Sequence, residues 1–163
     1  MLEFRETTLA DLKNIQRLWG DGEVMRFVGF PEGLHETDED LRAWIERLSA
    51  ARPRVNHWSV YEDGVYCGET NYCIDPESRS ASLDIKLFAF ARGRGIAAKA
   101  LTHAIKEAFR NGAETVWVDP DPENARAIAL YRRLGFTQKD MPPHVIAQGE
   151  DPETNLYFEL HRN

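Results

Sequence analysis

Two glycines and two arginines, Arg92-Gly93-Arg94-Gly95, followed by Ile96-Ala97-Ala98, are the residues of this 163-residue chain whose spacing points most directly to chemistry. They lie where an alternating run, Ala81 to Phe88, gives way to apolar residues at helical spacing: Ile96, Ala97, Ala100, Leu101, Ala104, Ile105, Ala108 and Phe109. A strand-to-helix turn of this kind presents unpaired amide N–H groups and the positive end of a helix dipole. Glycine lets backbone approach a ligand with no Cβ in the way. The ligand that suits such a turn is a phosphate or pyrophosphate, although the G-K-S/T ending of a P-loop is missing. Cys67 and Cys73 make no metal or disulfide pattern and read as two reduced thiols on one strand. Acid is concentrated between residues 21 and 40, where Asp21, Glu23, Glu32, Glu36, Asp38, Glu39 and Asp40 face the single base Arg26. That segment is either a solvated helix start or an acidic wall that attracts a cationic substrate.

The elements that must hold the glycine turn follow from the rest of the chain. Leu2 to Glu6 alternates as a strand. Thr8 with Asp11 resembles a capping box, and Leu9, Leu12, Ile15, Leu18 and Trp19 mark one helical face. Gly20 to Gly33 reads as irregular. Thr37 with Asp40 opens a second helix through Leu41, Trp44, Ile45 and Leu48, ended by Arg52-Pro53. His57 to Tyr61 and Val65 to Ile74 read as strands around an Asp63-Gly64 hairpin turn, with Gly68 placed for a bulge. Pro76 to Arg79 turns the chain into the strand before the glycine loop, completing an antiparallel meander. Thr115 to Val118 is a short buried-type strand, Asp119 to Asn124 a loop, and Ala125 to Leu134 a helix stopped by Gly135. Phe136 to Lys139 and Asn155 to Leu160 close the chain as strands around a Pro-rich, acidic connection. The expected fold class is α+β, a single domain over residues 1–163.

Composition limits the function. With 42% hydrophobic and 29% charged residues the chain can bury one ordinary core. A net charge of −7 argues against a nucleic-acid binder, which would show a basic face. No apolar run approaches the ~20 residues of a membrane span, and the charged start Met1 to Arg5 is unlike a secretory signal. A cytoplasmic protein without nucleic-acid or membrane partners is the expectation.

Two motifs resemble those of one family. Arg92-Gly93-Arg94-Gly95-Ile96-Ala97 is similar to the Q/R-x-x-G-x-G/A acetyl-coenzyme A loop of the GNAT N-acetyltransferases. Asn124 to Phe136, starting thirty-two residues after Arg92, is similar to that family's N-x-x-A-x-x-x-Y-x-x-x-G-F signature. The resemblance runs from about Trp58 to Phe136. It implies a mixed, mostly antiparallel sheet of six to seven strands flanked by about four helices. It places the coenzyme pyrophosphate on the amides of Gly93, Arg94, Gly95, Ile96, Ala97 and Ala98, with Arg92 and Arg94 adding charge or facing solvent. It lays the pantetheine arm along Ile85, Lys86 and Leu87, where a splayed strand leaves backbone groups unpaired. Asn124 would bond that arm, cap the helix, or do both. Tyr131, seven residues on, would be the general acid for the leaving thiolate.

A base must take a proton from the acceptor ammonium, because only the neutral amine attacks a thioester. Asp84 is the first candidate: alternation puts it with Lys86 and Phe88 on the face opposite Leu83, Ile85 and Leu87. A surface aspartate paired with Lys86 is the competing reading. Glu69, on the neighbouring strand, is the second candidate. Asp84, Asp119-Pro120 and Arg126-Ala127-Ile128 resemble aminoglycoside 6′-N-acetyltransferases; Glu3 to Thr8 and the Trp44-Ile45 helix also resemble ribosomal-protein N-terminal acetyltransferases. The implied activity is direct acetyl transfer from acetyl-CoA, without metal, to a primary amine. The acceptor is an aminoglycoside 6′-amine or, alternatively, a protein N-terminus or a polyamine. No cysteine lies near either motif, which disfavours an acetyl-enzyme. A non-catalytic coenzyme-binding sensor is the alternative from another class. Monomer and homodimer both stay open.

Overall fold

In the computed structural model, which describes residues 1–163, seven strands form one sheet in the order β1-β2-β3-β4-β5-β7-β6. The strands are β1 (Leu2–Glu6), β2 (Val55–Glu62), β3 (Val65–Asp75), β4 (Ser80–Leu87), β5 (Thr115–Val118), β6 (Thr137–Gln138) and β7 (Phe158–His161). Every pairing is antiparallel except that of β4 with β5. The helices are α1 (Leu12–Trp19), α2 (Gly22–Met25), α3 (Asp38–Ala51), α4 (Ile96–Arg110), α5 (Ala125–Arg133) and α6 (Pro143–Ala147). No helix is long and apolar enough to cross a membrane.

Most elements lie where the sequence places them, and the departures have local causes. The Thr8–Asp11 capping box forms as expected but closes a 3₁₀ turn, Leu9–Asp11, ahead of α1, and this leaves Leu9 exposed. Gly20 to Gly33 is not irregular throughout. Asp21 accepts from the N–H groups of Glu23 and Val24 and starts α2, which continues into a 3₁₀ turn. The closing connection contains α6, whose proline stands at the first helical position, where its missing N–H costs nothing. Four helices have eight residues or more, and α2 and α6 bring the number to six.

Alternation sorts the sheet into two faces. Trp58, Tyr72, Ile74, Ala81, Leu83, Val116 and Val118 pack with Leu101, Ala104, Ile105 and Ala108 of α4 and with Leu130 and Tyr131 of α5. The opposite face carries Trp117 beneath Met141, Val145 and Tyr157 at one end. At the other end it carries a buried polar group beneath α1 and α3. The bulge lies next to Gly68, between the Val60–Gly68 and Tyr61–Tyr66 pairs. A Cβ on Gly68 would sit 2.0 Å from the Lys86 carbonyl oxygen, so only glycine lets β3 approach β4 there.

Candidate active site

The parallel pairing of β4 with β5 covers only Ser80 to Ser82 against Thr115 to Trp117. Beyond Ser82 the strands separate, and β4 continues to Leu87 paired on its β3 side alone. An amide-bearing ligand can therefore pair with strand backbone along Leu83 to Leu87. Above the gap, a 3₁₀ turn (Ala89–Ala91) leads into the glycine loop. Gly93 and Gly95 take φ values of +74° and +78°, and no atom lies within 4 Å of where their Cβ atoms would be. Here glycine serves the left-handed turn and keeps the surface of the loop open. The N–H groups of Gly93 to Ala98 have no acceptor in the chain; the first α4 amide with one is Lys99, bonded to the Gly95 carbonyl at 3.3 Å. Six adjacent free donors at a helix N-terminus suit a pyrophosphate.

The arginines beside the loop are engaged. Arg92 Nη1 lies 3.5 Å from Glu23 Oε1, and Arg94 pairs with Glu62. Burial, with Arg126 nearby, pushes the Arg92 guanidinium below its usual range. Asn124 caps α5, its Oδ1 accepting from Ala127 N at 3.2 Å. Tyr131 lies on the gap side of α5, its ring packed on Phe136 with centroids 5.8 Å apart. It is 6% exposed and its hydroxyl has no partner in the chain. Burial first, then the charges of Asp84 and Asp119, push that phenol well above the usual tyrosine range. The phenol therefore stays protonated through the physiological range.

The two carboxylates expected as bases are both engaged. Asp84 does share a face with Lys86, and the two are paired. Its Oδ1 also accepts from Ile85 N at 2.9 Å. Glu69 is 1% exposed. Its Oε1 accepts from Trp19 Nε1 at 2.9 Å and lies 3.7 Å from Lys86 Nζ, and its Oε2 is 3.0 Å from His57 Nε2. The His57 contact is close but is not an aligned hydrogen bond. His57 Nδ1 is 2.7 Å from Thr7 Oγ1, which is 2.9 Å from Ser59 Oγ. Burial opposes the Glu69 charge, but His57, Lys86 and Trp19 outweigh it and hold the carboxyl down at about 2. Lys86 is raised by Asp84 and Glu69 against its own desolvation. Glu69 and Lys86 thus pair beneath the site, with Asp84 on the outer side of Lys86.

A third carboxylate faces the gap. Asp119 directly follows β5, and its Oδ2 and carbonyl oxygen accept from Asn155 Nδ2 at 3.2 and 3.0 Å. Burial pushes its carboxyl up to about 8, reinforced by Glu150 and by the charge of Asp84; Asn155 opposes the shift. In sequence, Asp119-Pro120 reads as a turn. The sequence marks Asp119-Pro120 only through the resemblance to aminoglycoside 6′-N-acetyltransferases, and the groups that perturb its carboxyl lie far along the chain.

The split between β4 and β5, the loop of free amides and the buried Tyr131 lie on elements that meet at one end of the sheet. The pattern of the acetyltransferase (GNAT) domain family matches residues 1–137, and the chain belongs to that family. It is 42% identical over 60 residues to the N-alpha-acetyltransferase MAK3 of Arabidopsis thaliana, a match covering 37% of this chain and 32% of that protein. The chain thus aligns with about a third of that relative's length. Among solved structures, the ribosomal-protein-alanine N-acetyltransferase of Brucella melitensis superposes with a TM-score of 0.77 at 20% identity, covering 98% of this chain and 99% of the other. The ribosomal L7/L12 alpha-N-protein acetyltransferase RimL, in complex with coenzyme A, superposes with a TM-score of 0.80 at 16% identity, covering 98% and 93%.

Proposed function

We propose that this protein transfers an acetyl group from acetyl-CoA directly to the α-amine of a protein or peptide N-terminus. The observation that carries the reading is the gap itself. β4 loses its β5 partner after Ser82, directly below six free loop amides and beside the unpartnered Tyr131 hydroxyl. Acetyl-CoA, when bound, supplies the activated acyl group as a thioester; its pyrophosphate suits the amides of Gly93 to Ala98 and its amide-bearing arm the backbone of Ile85 to Leu87. Asn124 flanks that path while capping α5.

In this reading Asp119 takes the proton from the acceptor ammonium. A carboxyl near 8 is matched to that work at neutral pH, whereas Asp84 is tied to Lys86 and Glu69 is sealed beneath the sheet. Tyr131, held protonated, donates to the leaving sulfur. Asp84 and Lys86 line the amine's approach from the β4 side. The relative MAK3 and the ribosomal-protein acetyltransferase neighbours support an α-amine acceptor. A second reading, a polycationic aminoglycoside, is favoured by the carboxylates of Asp84, Asp119 and Glu150 around one gap.

A thiol-release assay with acetyl-CoA over N-terminal peptides, aminoglycosides and polyamines tests the proposal. Turnover of peptides with a free α-amine, and none of N-blocked peptides, is expected. Turnover confined to aminoglycosides or polyamines would replace the α-amine reading, and none with any amine would refute both.

A further inference from the structure

Lys86 carries more hydrogen-bond donors than the chain uses. An ammonium has three N–H groups. Only Asp84 accepts from Lys86 Nζ at bonding distance. Glu69 Oε1 lies 3.7 Å away, close enough for charge attraction but outside hydrogen-bonding range. The lysine side chain is 14% exposed, so water reaches little of it. Burial opposes the charge, but the two carboxylates more than offset that and raise the ammonium above its usual range. A desolvated ammonium with spare donors gains from a further acceptor.

The strands decide where that acceptor can come from. Glu69 stands directly opposite Lys86 on β3, buried, and it also holds Trp19 Nε1 and faces His57. That side is closed to a ligand. On the other side β5 stops pairing with β4 at Ser82, so no strand is paired beside Lys86. Asp84, on the same strand face, is 38% exposed and marks that edge as open to solvent. One of its oxygens is paired with Lys86 and the other accepts from Ile85 N, so the aspartate is fully committed to holding the lysine in place.

The charges decide the chemistry of the acceptor. Two carboxylates, Asp84 and Glu69, stand against the one ammonium, with His57 on the far side of Glu69. An anionic group would be repelled by those carboxylates. The oxygen that fits is a neutral one, and a carbonyl accepts without bringing charge. An N-terminal residue offers a carbonyl one carbon away from its amine, whereas a polyamine offers none.

We propose that Lys86 donates to the first peptide carbonyl of the acceptor and so selects an α-amine over an amine without a neighbouring carbonyl. The proposal rests on the acceptor reading above and narrows it. Lys86 binds the acceptor directly, and Asp84 and Glu69 hold it there. No covalent step passes through the lysine.

The test pairs a short acceptor peptide with its isostere in which CH=CH replaces the first peptide bond, both assayed with acetyl-CoA and the full chain. The ratio of kcat/KM, peptide over isostere, is compared in the wild type, Lys86→Met and Lys86→Arg. A hydrogen bond from a charged donor makes the wild-type ratio at least about tenfold larger than that of Lys86→Met. Lys86→Arg, which keeps the charge and the donors, restores most of that preference. Comparing ratios cancels the different basicity of the two amines. Equal ratios in the wild type and Lys86→Met overturn the proposal. Because Lys86→Met leaves Asp84 and Glu69 without their cation and can fail to fold, a second measurement uses the wild type. In ¹H–¹⁵N spectra of the lysine ammonium groups with coenzyme A bound, the Lys86 signal, identified by its loss in Lys86→Arg, should shift with the peptide and not with the isostere. No shift with the peptide, or the same shift with both, overturns the proposal. If both acceptors are acetylated alike by every form, Lys86 loses this role and the α-amine reading stands. If neither is acetylated, the α-amine reading falls and this inference with it.

Discussion

Replacing Glu69 by glutamine should destabilise the fold by about 3 kcal/mol at pH 7. Glu69 is 1% exposed, and its neighbours hold its carboxyl at about 2 against an ordinary 4.5. A difference of that size corresponds to roughly 3 kcal/mol, since each unit is about 1.4 kcal/mol. It also lies at the lower end of the ~3–5 kcal/mol lost when one partner of a buried ion pair is removed. Glutamine keeps the shape and can still accept from Trp19, but Lys86 is left with Asp84 alone. For a domain of this length the melting temperature should fall by roughly 6–12 °C. The pH dependence gives a second signature. A carboxylate depressed in the folded state contributes its full stability above about 4.5, and that contribution fades as pH falls toward about 2. In urea unfolding, the gap between wild type and Glu69→Gln should therefore be constant from pH 7 to about 5 and close below pH 4. A gap under about 0.5 kcal/mol at pH 7, or one that persists unchanged to pH 2.5, would refute the assignment of a stabilising buried charge network.

Other expectations concern the site. Tyr131→Phe should lower kcat about a hundredfold without moving the melting temperature, because the ring keeps its contact with Phe136; a loss under about tenfold across the pH range would remove its role as the acid. Asp119→Asn should abolish the rise in rate through about pH 8, whereas Asp84→Asn should retain it; pH profiles of kcat/KM on peptide acceptors distinguish the two carboxylates. Gly95→Ala places a side chain at φ +78°, at a strain of about 1–2 kcal/mol, and should weaken the thermal shift produced by coenzyme A; an unchanged shift would mean the loop amides do not bind it. Added salt should raise KM for peptides rich in lysine and arginine more than for neutral ones, and equal effects would count against electrostatic attraction by the site's carboxylates.

What the sequence revealed was whatever rests on neighbours in the chain. The glycine loop, the Asn124 cap and the Tyr131 spacing are local patterns, and each sits on the element expected of it. The Asp84–Lys86 pair is equally local, two residues apart on one strand face. What stayed hidden depends on chain returns. The perturbation of Asp119 comes from burial and from Glu150, with Asn155 opposing it, and both residues arrive through a connection that reads as Pro-rich and acidic because Pro142 and Pro143 mask a short helix. Glu69 reads as a second candidate base on the strand beside β4; only the positions of Trp19, His57 and Lys86, from three other elements, make it an interior anion.

That interior anion has a consequence for how the sheet is assembled. Glu69 stands opposite Ser59 on β2 and Lys86 on β4, with His57 two places along β2. If β3 slipped by one residue, its carboxylate would turn to the face where Leu101 and Ala104 pack, and Lys86 would lose its partner. An unmatched charge in such surroundings carries a penalty of several kcal/mol. Hydrophobic alternation alone rejects that slip weakly in the middle of β3, where Gly68, Thr70 and Asn71 are small or polar. The charges work as a key cut for one alignment of three strands, so the chain checks its strand order before any substrate is met.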